Sequence, residues 1–295
     1  MSVLMEDKYN AYRDACNERF RQLKAREEQL NKLFIDAYGL KGDVSAAVAD
    51  RDVTVTSVYD TRSEVPANMK GNAYVQTKAD VVKDFISYAI GCMMGRYSLD
   101  CDGIILANQG ETLDDYFAKI GLPKGVAPAF MPCAEGLVTM PDEMISRLKE
   151  FLVVAYGEET FAENWLFMAD ALGLKSLDDD AFALYFAKTF YKDHCRKYKK
   201  RPIYWMFDSG KHHAFQAIIY LHRYTSDVVM SVRDQAVKRR DALRQMPDVE
   251  PAVLAELDEY MARLDDAVAH PIELDLNEGV KVNYQKFAGL LAPIV

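Results

Sequence analysis

The chain has 295 residues, half of them hydrophobic, with 36 Lys and Arg against 45 Asp and Glu for a net charge of −9. This composition excludes wholesale disorder and, taken as an average, a generic polycationic nucleic-acid binder; the length suits one large domain or two ordinary ones. The five cysteines (Cys16, Cys92, Cys101, Cys133, Cys195) are odd in number and lack Cys-x-x-Cys spacing, so reduced thiols are expected rather than a disulfide framework or zinc ribbon.

The first element is a long helix over 7–38. Tyr12, Cys16, Phe20, Leu23, Leu30, Leu33, Phe34 and Ala37 recur at helical spacing and predict one buried stripe along roughly 45 Å, with Gly39 as the stop. Val53 to Val58 alternate and are β-branched, which predicts a short strand. Residues 60–76 read as a loop. Thr77 and Asp80 form an N-terminal cap for a helix that buries Val81, Val82, Phe85, Ile86, Ala89, Ile90, Met93 and Met94. Gly91 and Gly95 lie one turn apart on it and predict close approach of a neighbouring element. The uncharged run Phe85 to Gly95 is too short for a membrane span, so no membrane partner is expected. The N-terminus has no apolar signal region, so the cytoplasm is the expected compartment.

Ile104 to Leu106 suggest a short strand and 111–120 a short helix. Residues 121–140 hold three prolines and three glycines and read as a linker between residues 1–120 and 141–295. Pro141 opens a helix that runs to Gly157. Thr160 and Glu163 predict a capping box for the next helix, which stops at Gly173. A helix over 178–201 ends at Pro202. Ile203–Phe207 and Ala214–Leu221 predict a β-hairpin. Helices over 227–246 and 250–269 fold back at Met246-Pro247-Asp248, and 280–291 docks as a short helix through Val282, Phe287, Leu290 and Leu291. The expected fold is mainly α with minor β (α+β): a helical domain with a β-hairpin and a helical hairpin.

Several catalytic signatures are missing from the sequence. No two prolines are adjacent, so there is no Asn/Asp-Pro-Pro-Tyr loop to hold a flipped adenine. No Gly-x-Gly occurs for S-adenosylmethionine or a dinucleotide, and Trp205 stands where a P-loop needs its first glycine. Neither Pro-Asp pair is followed by a nuclease-type Asp/Glu-x-Lys. No His-Glu-x-x-His occurs, and the adjacent His212 and His213 make poor co-ligands, so no metal site is expected.

The charge is concentrated. Lys188, Lys192, Arg196, Lys197, Lys199, Lys200 and Arg201 give residues 188–201 a charge of +6 with Asp193 as the lone acid; 188–223 carries +7 and the rest of the chain −16. Lys188, Lys192, Arg196 and Lys199 or Lys200 advance by three and four and share a helical face, opposite Phe182, Phe186 and Phe190. Such a stripe fits phosphates of a nucleic-acid backbone, or else a solvated face paired with acids elsewhere. The hairpin adds Lys211, His212 and His213 at its tip and Arg223 after its second strand; a basic tip beside a basic helix suits a groove, while aromatic residues in its strands suit a core.

The run from Tyr191 through Arg196-Lys197-Tyr198-Lys199-Lys200-Arg201-Pro202-Ile203-Tyr204-Trp205 to Lys211 closely resembles a signature near the C-terminus of the PglX-like adenine-specific DNA methyltransferases of BREX phage-defence systems. Leu30-Asn31-Lys32-Leu33-Phe34, Ile86 to Asp100, Ala155 to Thr160 and Glu273 to Tyr284 resemble further motifs of that family, in order. The resemblance covers most of the chain. Family members are several times longer, with their methyl-transfer motifs upstream, and many have a longer helical hairpin. The resemblance implies a non-catalytic C-terminal region that faces double-stranded DNA beside an upstream methyltransferase domain. S-adenosylmethionine is then expected only in that upstream domain, with no cofactor in this chain, and other BREX proteins are candidate partners. The alternative is a protein–protein module that assembles the defence complex through the first helix and the 227–269 hairpin. The DNA contacts expected from charge and spacing are Lys188, Lys192, Arg196, Lys197, Lys199, Lys200, Arg201, Lys211, His212, His213 and Arg223.

Overall fold

The computed structural model describes residues 4–123 and 125–294, which divide into two units. The architecture is mainly helical with two small sheets. The first unit takes in the described residues up to Phe85 together with Tyr156–Lys175, and the second Ile86–Ala155 with the described residues from Ser176 onward. The units are not contiguous halves such as 1–120 and 141–295: the division falls after Phe85, and Tyr156–Lys175 groups with the first unit.

In the first unit, helix α1 (Met5–Ala37) is one unbroken element of 33 residues, about 50 Å long. Its N-terminal half is anchored by Met5, Tyr9 and Cys16, which are buried. The Tyr9 hydroxyl donates to Asp60 at 2.7 Å and its ring lies 5.8 Å from Phe167. Asn17 serves as a strand partner: its side-chain amide donates to the Val58 carbonyl and accepts from the Val58 N–H, both at 2.9 Å. The expected strand over 53–58 is reduced to β1 (Ser57–Tyr59), paired in parallel with β2 (Val75–Thr77), because Asp50–Asp52 turn as a 3-10 helix just before Val53.

The predicted stripe on α1 does not stay buried. Leu30, Leu33 and Phe34 are 51%, 61% and 51% exposed, while Phe20 and Leu23 are half-buried and Asp50, Val48 and Ala46 hydrogen-bond along the helix to Lys24, Glu28 and Asn31. Helix α2 (Lys78–Met93) opens on the expected cap, with the Thr77 N–H and hydroxyl donating to Asp80 at 2.9 and 2.7 Å. The capping box expected at Thr160 does not form. The Thr160 hydroxyl donates to the Tyr156 carbonyl at 3.0 Å instead, and helix α5 (Phe161–Leu172) starts without a side-chain cap.

The second unit holds helices α3 (Leu113–Ile120) and α4 (Asp142–Tyr156, which ends at the unit boundary), and a three-stranded antiparallel sheet. The sheet order is β3 (Leu137–Met140), β5 (Gln216–Tyr220), β4 (Tyr204–Asp208), with Leu137 opposite Ile219 and Phe207 opposite Ala217. The hairpin is thus as expected, and β3 is a correction: Leu137, Val138 and Met140 are buried, and the surrounding Pro and Gly residues shape turns. Ile104–Leu106 form no strand. The Ile105 N–H donates to the Arg96 carbonyl at 2.8 Å, which ties this stretch to the end of α2. Gly91 is required there, since a Cβ would lie 2.3 Å from the Tyr97 ring.

One face of the hairpin packs into a core with the helical hairpin α8 (Asp227–Arg244) and α9 (Pro251–Ala269) and with the C-terminal segment that begins at α10 (Val280–Gln285). Trp205, Phe207, Val232, Tyr260 and Phe287 belong to it, each at most 1% exposed. Leu290 and Leu291 close it: the Tyr260 hydroxyl donates to the Leu290 carbonyl at 2.8 Å, and Leu291 bridges to Phe207. Val282, expected to dock, is 45% exposed. No helix among the described residues is long and apolar enough to cross a membrane.

Candidate nucleic-acid interface

The basic segment is built on an aromatic spine. It runs as α6 (Asp179–Tyr185), a π-helical turn (Phe186–Phe190) and α7 (Tyr191–Lys197). The π-turn inserts one residue into the helical repeat, so the buried pairs are Tyr185 with Phe186, Phe190 with Tyr191, and His194 with Cys195. A regular α-helix would drop one residue of the second pair out of the core. Phe182, Phe186 and Phe190 face inward as expected, and Lys188, Lys192 and Arg196 project to solvent at successive steps of four.

His194 locks this spine to the sheet. Its Nε2 accepts the Tyr204 N–H at 3.2 Å, and its ring lies 4.8 Å from the Tyr204 ring. Burial, with the nearby Lys197 and Arg96 charges, pushes the imidazole down to about 3, so it is a neutral acceptor.

The helix ends earlier than expected, at Lys197 rather than Arg201. Lys199 and Lys200 then adopt φ of 50° and 62°, in the left-handed region. The Lys200 N–H donates to the Cys195 carbonyl at 2.8 Å and the Lys199 N–H to the Arg196 carbonyl at 3.0 Å, a Schellman closure with lysine where glycine is usual. Lys199 and Lys200 therefore leave the helical face shared by Lys188, Lys192 and Arg196 and extend the cationic surface as a turn. Lys197, Lys199, Lys200 and Arg201 are all exposed. Arg196 pairs with Asp193 at 3.0 Å. Lys188, Lys192, Lys199, Lys200, Arg201 and Lys211 make no ion pair among the described residues.

The hairpin tip is exposed and rigidly held. Lys211, His212 and His213 all reach solvent. Glu256 of α9 accepts from the Ser209 hydroxyl and the His212 N–H, both at 2.8 Å; burial works against its charge, and these bonds outweigh it to hold the carboxyl below its ordinary range. His213 has φ of 50°, and its Nδ1 lies 2.8 Å from the buried Asp208 carboxylate, which leaves Nε2 as its free ring nitrogen for an outside partner. The acids Asp208 and Glu256 thus lie against the tip and offset the charge of Lys211. Tyr204 and Trp205 are core, at 1% and 0% exposure.

Arg223 corrects the expected set. It is 6% exposed, and its guanidinium donates to the carbonyls of Met94 (3.3 Å), Cys133 (2.8 Å) and Ala134. Gly136 passes so close that a Cβ there would sit 3.2 Å from Arg223 Cβ. Arg223 is a clamp on the loop before β3 and is sequestered from phosphate. Lys281 of α10 is a cation that sequence spacing did not flag. It lines a cleft of about 1220 Å³ together with Lys199, Lys200 and Arg201. Eighty residues separate it from that turn, and nothing in local spacing connects the two. Among the described residues, no group of three or more His, Cys, Asp or Glu is placed to hold a metal ion.

No protein-family model matches the chain. It is 31% identical to the adenine-specific methyltransferase PglX of Lacticaseibacillus casei (strain Zhang), over 96% of this chain and 24% of that protein. It is 30% identical to the adenine-specific methyltransferase BrxX of Escherichia coli O9:H4 (strain HS), over 99% of this chain and 27% of that protein. The chain thus spans about a quarter of the length of each relative. Over nearly its whole length, it is a homologue of one part, about a quarter, of the adenine-specific methyltransferases PglX and BrxX.

Proposed function

We propose that this chain is the non-catalytic, DNA-facing C-terminal region of a site-specific N6-adenine DNA methyltransferase of phage defence. The observation that carries the reading is the exposure of six cations close in sequence, Lys188, Lys192, Arg196, Lys199, Lys200 and Arg201, on and just after a helix with a buried aromatic spine in an otherwise acidic chain. Long flexible cations on a rigid support neutralise phosphates and set orientation without reading bases. The acidic remainder limits non-specific association. Methyl transfer, S-adenosylmethionine binding and adenine flipping belong, on this reading, to the rest of a longer cytoplasmic polypeptide, since the motifs for them are missing from this sequence.

The test is fluorescence anisotropy with duplex DNA across a salt series. Each phosphate engaged contributes about −0.9 to the slope of log K against log salt. Reversing Lys192, Arg196 and Lys200 to Glu is expected to weaken binding at least roughly tenfold and to flatten that slope by about 2 to 3. Unchanged affinity and slope would sink the assignment.

A second reading, a module that assembles the defence complex, is favoured by one observation: the exposed apolar positions Leu30, Leu33, Phe34 and Tyr38 on and just after α1. The 227–269 hairpin gives it less support, because Val229, Val232, Leu257 and Leu264 bury its inner face in the core.

A further inference from the structure

We propose that the cleft beside the Lys199–Arg201 turn is a docking site for an acidic, amphipathic segment of a protein partner. Its volume of about 1220 Å³ exceeds the roughly 300–1,000 Å³ of small-molecule pockets, so it suits a stretch of polymer rather than a free metabolite. Ile203, Leu221, Val280, Tyr284 and Ile294 supply an apolar lining. Lys199, Lys200, Arg201 and Lys281 supply the charge. The acid in the lining, Glu278, is engaged by Lys286 at 2.7 Å, so the cleft presents net positive charge.

These two features together select the occupant. Duplex DNA matches the cations but offers a charged backbone and stacked bases, with little apolar surface to bury in such a lining. An apolar centre with a charged rim is the pattern of a protein–protein contact. A peptide that spaces Leu, Ile or Phe among Asp and Glu would bury the former against Ile203, Val280 and Tyr284 and pair the latter with the lysines. The proposal goes beyond DNA binding and uses an overlapping surface: Lys199, Lys200 and Arg201 are common to both, and the apolar lining and Lys281 belong to the cleft alone. A bound segment would therefore compete with duplex DNA at the turn.

The experiment is selection of a displayed random peptide library on the purified full chain, followed by anisotropy with the enriched peptides. Enriched sequences are expected to combine acids with spaced apolar residues. Val280→Trp, which fills the cleft, is expected to abolish their binding; Lys281→Glu, on an exposed side chain, is expected to weaken it at least about tenfold. Lys175→Glu, outside the cleft, serves as the control and is expected to leave it intact. If thermal melting shows that Val280→Trp unfolds, Lys281→Glu decides. The proposal is overturned if no peptide is enriched, if enriched peptides lack acids, or if Lys281→Glu leaves their binding unchanged. It is equally overturned if the cleft variants weaken duplex DNA alone, which would make the cleft part of the nucleic-acid face.

Discussion

Lys199 and Arg223 carry the same charge in opposite surroundings, one exposed and one buried. Lys199 occupies the left-handed position of a helix terminator, where a side chain is strained and glycine is not. Lys199→Gly is expected to raise stability by about 1 kcal/mol while lowering the salt slope of DNA binding by about 0.9, measured by thermal melting and anisotropy. Strain kept at a cation fits a position that serves binding rather than stability. Arg223 is the converse. Its guanidinium satisfies three buried or half-buried carbonyls, so Arg223→Ala is expected to cost roughly 3 kcal/mol. The salt slope of whatever remains folded should stay unchanged, and a flatter slope would return Arg223 to the interface. Counting charges along the sequence treats the two residues alike. Only the close approach of the Cys133–Gly136 loop distinguishes them.

Among the elements, the basic helix was legible and its end was not. Cations at steps of four with phenylalanines opposite describe an amphipathic helix, and the exposure of Lys188, Lys192 and Arg196 agrees. The π-turn at Phe186–Phe190 carries no local signature, because it forms to let both Phe190 and Tyr191 enter the core. Helix α1 shows the limit of periodicity in another way. Leu30, Leu33 and Phe34 have core spacing, yet spacing reports only that a face is apolar and not what covers it. Leu33→Asp is expected to change stability by no more than about 0.5 kcal/mol, since the side chain is mostly exposed. If α1 is an assembly surface, the same substitution should abolish co-purification with sister components of the defence complex. Retention of those components would remove α1 from that role.

For the molecule as a whole, charge sets the response to pH. The imidazoles of buried His194 and half-buried His222 are held below their ordinary range, chiefly by desolvation. The unfolded chain therefore takes up protons that the folded one refuses, so their contribution is present above the unfolded value near 6.5 and is lost as pH falls below it, for His194 toward about 3. Glu111 acts in the same direction. Burial opposes its charge, but the Asn108 amide, Lys119, the Asn108 side chain and the Ala107 N–H hold it at about 2, so its contribution is lost as pH falls from about 4.5 toward that value. The melting temperature is expected to drop steadily from neutral to acid pH, and His194→Gln should flatten the upper part of that fall; an unchanged profile would show that His194 is not buried as a neutral acceptor. By itself the sequence determined the helical class, the β-hairpin, the helical hairpin and the location of the positive charge, because each depends on residues near one another along the chain. Tertiary structure alone decided that Leu137–Met140 is a strand, that Arg223 is a clamp, and that Lys281 joins the Lys199–Arg201 turn around one cleft. Each of those depends on which distant segment comes to lie alongside, and no local pattern encodes that.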